Sequence, residues 1–259
     1  MHSPLAIRLF KAMIVGEFLV AVCLGQGAAA GPPPASAAQS SQQPLPRLGI
    51  ALSMGTLGPG IQVATAVERH LNVRGGFNYF SYSLSGTTSD NLTYNGSLRL
   101  ESGEVLLDYY PIGPFHLSGG ALIYNGFQGK GSVSVPGGQT LTLNSVTYYS
   151  SAADPVTGNG NIQAKKFAPM ALFGFGNLLP RSQRHFSTNV DIGVAFQGAP
   201  SATLNLMGST CATVATGCAP ISAQPTVQAN IAAEQTKINK DLMPFRFYPV
   251  ISVSFGYKF

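Results

Sequence analysis

The sequence predicts an all-β fold: an eight-stranded antiparallel up-and-down transmembrane β-barrel, with a short amphipathic helix in its last external loop. Three observations predict it. Only 10% of the residues are charged, where a soluble domain carries about 25%. Hydrophobic residues make up 45% of the chain, yet after the N-terminal segment no apolar run approaches the roughly 20 residues of a membrane helix. They are dispersed instead among 30 Gly, 15 Phe, 10 Tyr and many Ser, Thr and Asn, a mixture suited to strands and turns. Finally, several segments alternate strictly between apolar and polar residues, as a strand between lipid and a polar lumen should.

The chain opens on an address. Arg8 and Lys11 precede an apolar run from Ala12 to Leu24, broken by Glu17, and small residues follow to Ala28, Ala29, Ala30 and Gly31. Basic start, apolar middle and A-x-A site are the order of a secretory signal peptide. Residues 1–30 are therefore expected to be removed, an uncleaved anchor being the alternative. Cys23 follows Val22 rather than the small residue that precedes a lipidated Cys, and reads as one more apolar residue of the signal. Residues 31–47, rich in Pro, Ala, Ser and Gln without periodicity, read as a flexible linker. The barrel is expected over 48–259.

Its strands follow in order. Leu48 to Thr56 and Gly60 to Val67 are short apolar segments joined by a tight link at 57–59; if that link does not turn, they fuse and the count falls to seven. Leu71 to Tyr79 places Leu71, Val73, Phe77 and Tyr79 outward against Asn72, Arg74 and Asn78. Leu92 to Tyr110 changes apolar phase between Leu98, Leu100 and Val105, Leu107, Tyr109, the mark of a bulge or of a strand projecting beyond the membrane. Pro114 to Phe127 and Phe167 to Leu178 are weaker. His185 to Gln197 alternates Phe186, Thr188, Val190, Ile192, Val194 and Phe196 with a face that holds Asp191.

Phe245 to Phe259 gives the clearest pattern. Odd positions carry Phe245, Phe247, Pro249, Ile251, Val253, Phe255, Tyr257 and Phe259; even positions carry Arg246, Tyr248, Val250, Ser252, Ser254, Gly256 and Lys258. Ordinary strands run about 5 to 6 residues and a tilted membrane strand about 9 to 11, so this length favours a barrel over a soluble sandwich.

Connections alternate in length. Short ones lie near Arg69, near Gly113 and around Pro180 to Arg184. Long ones run from Leu84 to Asn91, Gln128 to Lys166 and Gly198 to Pro244. In the last, Thr226 to Leu242 sets Val227, Ile231, Ile238 and Leu242 on one helical stripe, with Glu234, Lys237 and Asp241 adding charge. This helix reads as packing on the barrel rim, the alternative being a lid or plug.

The signal peptide, the hairpins of alternating connection length and the ending Val253-Ser254-Phe255-Gly256-Tyr257-Lys258-Phe259 together resemble the small outer-membrane proteins of the β-barrel domain type. The final strand is the specific part of that resemblance: Val253, Phe255, Tyr257 and Phe259 look like the signal such proteins present to the barrel-assembly machinery. The resemblance implies a Gram-negative outer membrane, its lipids as surroundings and the assembly machinery as a partner during biogenesis. It implies no particular activity.

Candidate chemistry is sparse. Cys211 and Cys218, in an external loop of an oxidising compartment, are a disulfide candidate. Arg74, Glu104, Asp108, Asp191 and Arg246 are expected in the lumen. An eight-stranded barrel is only wide enough for its side chains to fill and buried charges are usually paired, so a salt-bridge network is favoured over a conducting path. His185, Ser187 and Asn189 share one strand face, but a Ser nucleophile needs its base within hydrogen-bond reach, and residues two apart on a strand lie roughly 6 to 7 Å apart. No cofactor, metal or catalytic site is expected. The net charge of +5 does not indicate nucleic acid, because the bases are scattered singly except for Lys165 and Lys166. The expected role is structural or surface-interacting, with a narrow pore or binding barrel, or an outer-membrane lipid hydrolase, as alternatives.

Overall fold

The computed structural model describes residues 48–88, 92–180, 184–213 and 216–259. The expected signal peptide and linker lie outside the described residues. Strands β1 (Gly49–Gly55), β2 (Gly60–Glu68), β3 (Leu71–Thr87), β4 (Thr93–Ile112) and β5 (Phe115–Asn125) come first. Then follow β6 (Gln128–Val135), β7 (Thr140–Leu143), β8 (Val146–Ser150), β9 (Val156–Gln163), β10 (Ala168–Gly176) and β11 (Phe186–Ala195). The last are β12 (Ser201–Met207), β13 (Ser209–Cys211), β14 (Ala219–Pro220), helix α1 (Pro225–Leu242) and β15 (Tyr248–Lys258).

Eight of these strands close a ring in the order β1, β2, β3, β4, β5, β10, β11, β15 and back to β1, every neighbour antiparallel. The 57–59 link does turn: Gly58 holds φ at +100°, a conformation that favours glycine, and its N–H donates to the Gly55 carbonyl at 2.9 Å. Within the ring, alternation sorts the side chains by face. On β4, Val105, Leu107 and Tyr109 are exposed outside while Glu104, Leu106, Asp108 and Tyr110 are buried inside.

The outer surface carries two aromatic tiers. Tyr109, Phe115, Phe175, Phe186, Tyr257 and Phe259 are exposed at the end of the ring that holds Gly49, here the base; Phe77, Tyr79, Tyr124, Phe167, Phe196 and Phe247 are exposed towards the other. Edge-to-face pairs link members of each tier, Phe115 with Phe175 and Phe196 with Phe247. Phe186 and Phe196 bracket β11; at about 3.3 Å per residue and a tilt near 40°, the tiers stand about 25 Å apart.

Several sequence expectations are corrected. The segment Leu84 to Asn91 is not a long loop, because β3 and β4 stay paired to Thr87 and Thr93. The other two long connections contain regular strands. The far half of β4 leaves β5 and pairs with β6, and β9 and β12 extend the sheet beyond it. The phase change in β4 is thus a projecting strand, with no slip in its pairing to β3; the pairing with β5 shifts register twice, between Tyr109 and Ile112 and between Gly103 and Glu104, where Ile123 is the extra residue. At the C-terminus the strand starts at Tyr248, and Met243–Arg246 is a 3-10 turn. Arg246 is therefore exposed, its guanidinium 4.7 Å from the centre of the Phe247 ring, and it is not a lumen charge. The alternation seemed to run through it because helix α1 passes directly into that turn before the chain becomes extended.

Helix α1 forms where expected but packs elsewhere. Its buried Val227 and Ile231 join Val135, Leu143, Val156 and Ile221 in a cluster under β6, β9 and β12 rather than on the barrel rim. It also closes the sheet edge. The Ala202 N–H donates to Asn239 Oδ1 at 2.7 Å and the Leu204 N–H to Gln235 Oε1 at 3.0 Å, so the helix side chains occupy the edge that β12 would otherwise expose. Strands β7, β8, β13 and β14 form a second small sheet.

Candidate functional site

The ring interior is filled in three layers. Nearest the base, Ala51, Ala64, Leu178 and Leu179 pack together with Ala66, and Asn177 receives a hydrogen bond from Asn72 Nδ2 at 3.2 Å. Towards the other end, Leu106, Leu122, Ala168, Met170, Leu172, Ala195 and Val250 form an apolar layer covered by Leu57 and Tyr248.

Between them lies a polar layer centred on Arg74, whose side chain is 1% exposed. Its guanidinium grips Asp191 with two nitrogens, Nη1 to Oδ2 at 2.6 Å and Nη2 to Oδ1 at 3.3 Å, and reaches Asp108 Oδ1 at 3.1 Å. Such forked pairing with carboxylates is the geometry guanidinium favours. Ser118 Oγ donates to Asp108 at 2.6 Å, Asn189 Nδ2 donates to Asp191 at 2.8 Å, and His116 Nε2 stands 2.7 Å from Asp191 Oδ1. Glu104 accepts from Gln62 Nε2 at 3.1 Å. An interior cavity of about 10 Å³ touches this layer, room for about one water molecule.

Arg74, Glu104, Asp108 and Asp191 thus come together on β3, β4 and β11, and Arg246 does not join them. Sequence reasoning missed His116, Gln62, Ser118 and Asn189 as members. The signal for two of them was present: on β5, Phe115 and Leu117 point outward, so His116 and Ser118 must point in. Gly174 completes the layer, because a Cβ there would stand 2.5 Å from the His116 ring and 2.6 Å from Asp191 Oδ1.

The remaining candidates lie apart. Cys211 and Cys218 are joined by a disulfide. Ser187 Oγ donates to the Leu178 carbonyl at 3.3 Å, while His185 Nδ1 lies 3.0 Å from the Lys258 carbonyl and its ring stacks on Tyr257. The His185 and Ser187 side chains are each engaged by a different backbone carbonyl. Val253, Phe255, Tyr257 and Phe259 lie along the outer face of β15 and its end, and the Phe259 N–H closes the ring on the Leu48 carbonyl at 3.1 Å. Among the described residues, no three His, Cys, Asp or Glu side chains form a metal-binding group.

A second polar surface lies outside the ring, on the face of β3, β4, β6, β9 and β12 opposite α1. It holds a groove of about 670 Å³ lined by Ser, Asn, Thr and Gly with Lys130 and Leu84. It went unnoticed in the sequence because β6, β9 and β12 fall in segments read as loops, although Gln128, Lys130, Ser132 and Ser134 alternate there with Gly129, Gly131, Val133 and Val135.

The fold has solved counterparts. CarO of Acinetobacter baumannii matches with a TM-score of 0.51 and 20% identity, over 82% of this chain and 97% of that one. This chain is similar in fold to CarO. CarO2 of the same organism matches with a TM-score of 0.52 and 18% identity, over 84% of this chain and all of that one. At that identity the likeness to CarO is one of fold, and it agrees with the barrel expected from the alternation. No protein-family model matches the chain, and no curated protein matches it.

Proposed function

We propose that the chain is a Gram-negative outer-membrane protein, exported by its first 30 residues, whose barrel anchors an external sheet that makes the working contacts. In this reading the base faces the periplasm, the apolar outer surface between the two aromatic tiers meets lipid, and β6 to β9, β12 to β14 and α1 stand outside the cell. The tier separation of about 25 Å suits the apolar band of such barrels. Val253, Phe255, Tyr257 and Phe259 serve as the recognition strand for barrel assembly. Cys211 and Cys218 staple the external tip.

The observation that carries the interaction role is the closed interior. A conducting lumen needs a continuous water path, whereas here apolar side chains lie on both sides of the Arg74 layer, and the cavity that reaches it has room for about one water. The charged residues inside act as a structural clamp. Purified barrel in planar lipid bilayers tests this directly: folded protein, identified by boiling-dependent migration in electrophoresis, should give no stable current steps. Reproducible steps from folded protein would replace this reading with a narrow pore.

A further inference from the structure

The outward faces of β3 and β4 do not end at the upper aromatic tier. On β3 the side that carries Phe77 and Tyr79 continues as Ser81, Ser83 and Ser85; on β4 the side that carries Leu107 and Val105 continues as Arg99, Ser97 and Asn95. Strand register carries this change across five strands. Ser81, Arg99, Gln128, Gln163 and Ser201 stand side by side in one row. The next row holds Ser83, Ser97, Lys130, Asn161 and Thr203, and the one beyond it Ser85, Asn95, Ser132, Asn159 and Asn205. At about 4.8 Å between strands, each row is about 19 Å wide.

We propose that this face binds the phosphorylated sugar headgroup of a glycolipid in the leaflet surrounding the barrel, an inference that rests on the membrane placement proposed above. Four observations select that occupant. First, the face is continuous with the surface assigned to lipid, so whatever projects from the neighbouring lipid lies against it. Second, the three rows contain no aromatic or aliphatic side chain, which disfavours a protein partner, whose docking site would have a desolvated aromatic or apolar centre. Hydroxyls and amides both donate and accept, which matches sugar hydroxyls.

Third, cations outnumber acids where the phosphates would sit, with Arg99, Lys130 and Lys166 set against Glu101. Arg99 lies 5.8 Å from the centre of the Tyr79 ring and is paired with Glu101; Lys166 lies 5.0 Å from that of Tyr124; exposed Lys130 stands one row further out. Guanidinium and ammonium groups at the border of an apolar belt are placed for anionic headgroups. Fourth, half-buried Asn161, in the middle row, lines the groove, and its Oδ1 accepts no hydrogen bond from the protein. The other face of these strands is already covered, because its Val133, Val135, Leu204 and Leu206 pack with α1.

The test uses the full mature protein in dodecylmaltoside with two fluorescent probes: lipopolysaccharide lacking O-chains, and phosphatidylglycerol. The wild type should bind the lipopolysaccharide at least tenfold more tightly than phosphatidylglycerol. Lys130→Glu combined with Asn161→Asp should weaken lipopolysaccharide binding at least tenfold, with the boiling-dependent shift retained as evidence of folding. Equal binding by the folded variant overturns the proposal, and equal affinity for the two probes reduces the face to a site for negative charge and overturns it too. Should that variant misfold, Lys130→Gln alone provides the comparison, with a loss of at least threefold expected. Insertion into phosphatidylcholine vesicles, read by flotation and protease protection, is measured separately. Failure there removes the membrane placement and the proposal with it, whereas insertion with unchanged binding removes only the proposal.

Discussion

Arg74 on β3 and Asp191 on β11 meet across the interior of the ring, Nη1 to Oδ2 at 2.6 Å, although 117 positions separate them in the chain. Both side chains are 1% exposed. The pair ties one side of the barrel to the other, and Asp108 on β4 shares the same guanidinium. Removing one partner of a buried pair leaves a charge stranded in a medium that solvates it poorly. Arg74→Met should therefore cost about 3–5 kcal/mol and lower the temperature at which the barrel loses its compact electrophoretic form. Arg74→Met with Asp191→Asn should recover part of that loss, since less uncompensated charge is left inside.

Gly174 is predicted to be intolerant of any side chain. It faces inward between His116 and Asp191, and even a Cβ would overlap both. Gly174→Val should destabilise the barrel by about 1–3 kcal/mol through overpacking, seen as a lowered unfolding midpoint in urea. Gly119, where a Cβ meets no atom within 4 Å, provides the control, and Gly119→Ala should leave the midpoint nearly unchanged.

The β12 edge gives a prediction about association rather than stability. Gln235 and Asn239 occupy the Leu204 and Ala202 amides, so Gln235→Ala with Asn239→Ala should cost about 1 kcal/mol for each lost hydrogen bond. It should also free a strand edge for another chain. Light scattering of the detergent-solubilised double variant is expected to show dimers and larger species that the wild type lacks, with the barrel itself intact.

Reduction of the Cys211–Cys218 disulfide should act locally. The loop it closes is short, so the stabilisation is roughly 2 kcal/mol in the chain-entropy view, and it falls on a small sheet outside the ring. Hydrogen exchange across 209–220 should accelerate after reduction, whereas β10, β11 and β15 should retain their protection. Faster exchange in those ring strands would mean that the tip and the barrel fold as one unit.

What the sequence by itself determined is the sidedness of the ring strands. A strand's side chains alternate with a period of two whatever lies beyond it, so Asn72, Arg74, Asp191 and Ser254 could be assigned inward, and Phe186, Ile192 and Phe255 outward, from local pattern alone. The tertiary structure decided which inward groups meet. Arg74 finds Asp108, Asp191 and, through Asp191, His116 only because β3, β4, β5, β10 and β11 are brought round a closed ring, and ring closure depends on register between distant segments. It also decided that 128–163 holds strands β6 to β9 and that 201–207 is strand β12. Their Gly, Ser and Asn residues have weak strand preference, and their slender apolar face gains stability only when α1 covers it and β4 supplies an edge. Arg246 marks the opposite limit: its alternation was genuine in the sequence, but a chain leaving a helix does not become a strand until the backbone has an edge to pair with, and β11 provides that edge only from Tyr248 onward and β1 only from Ser252.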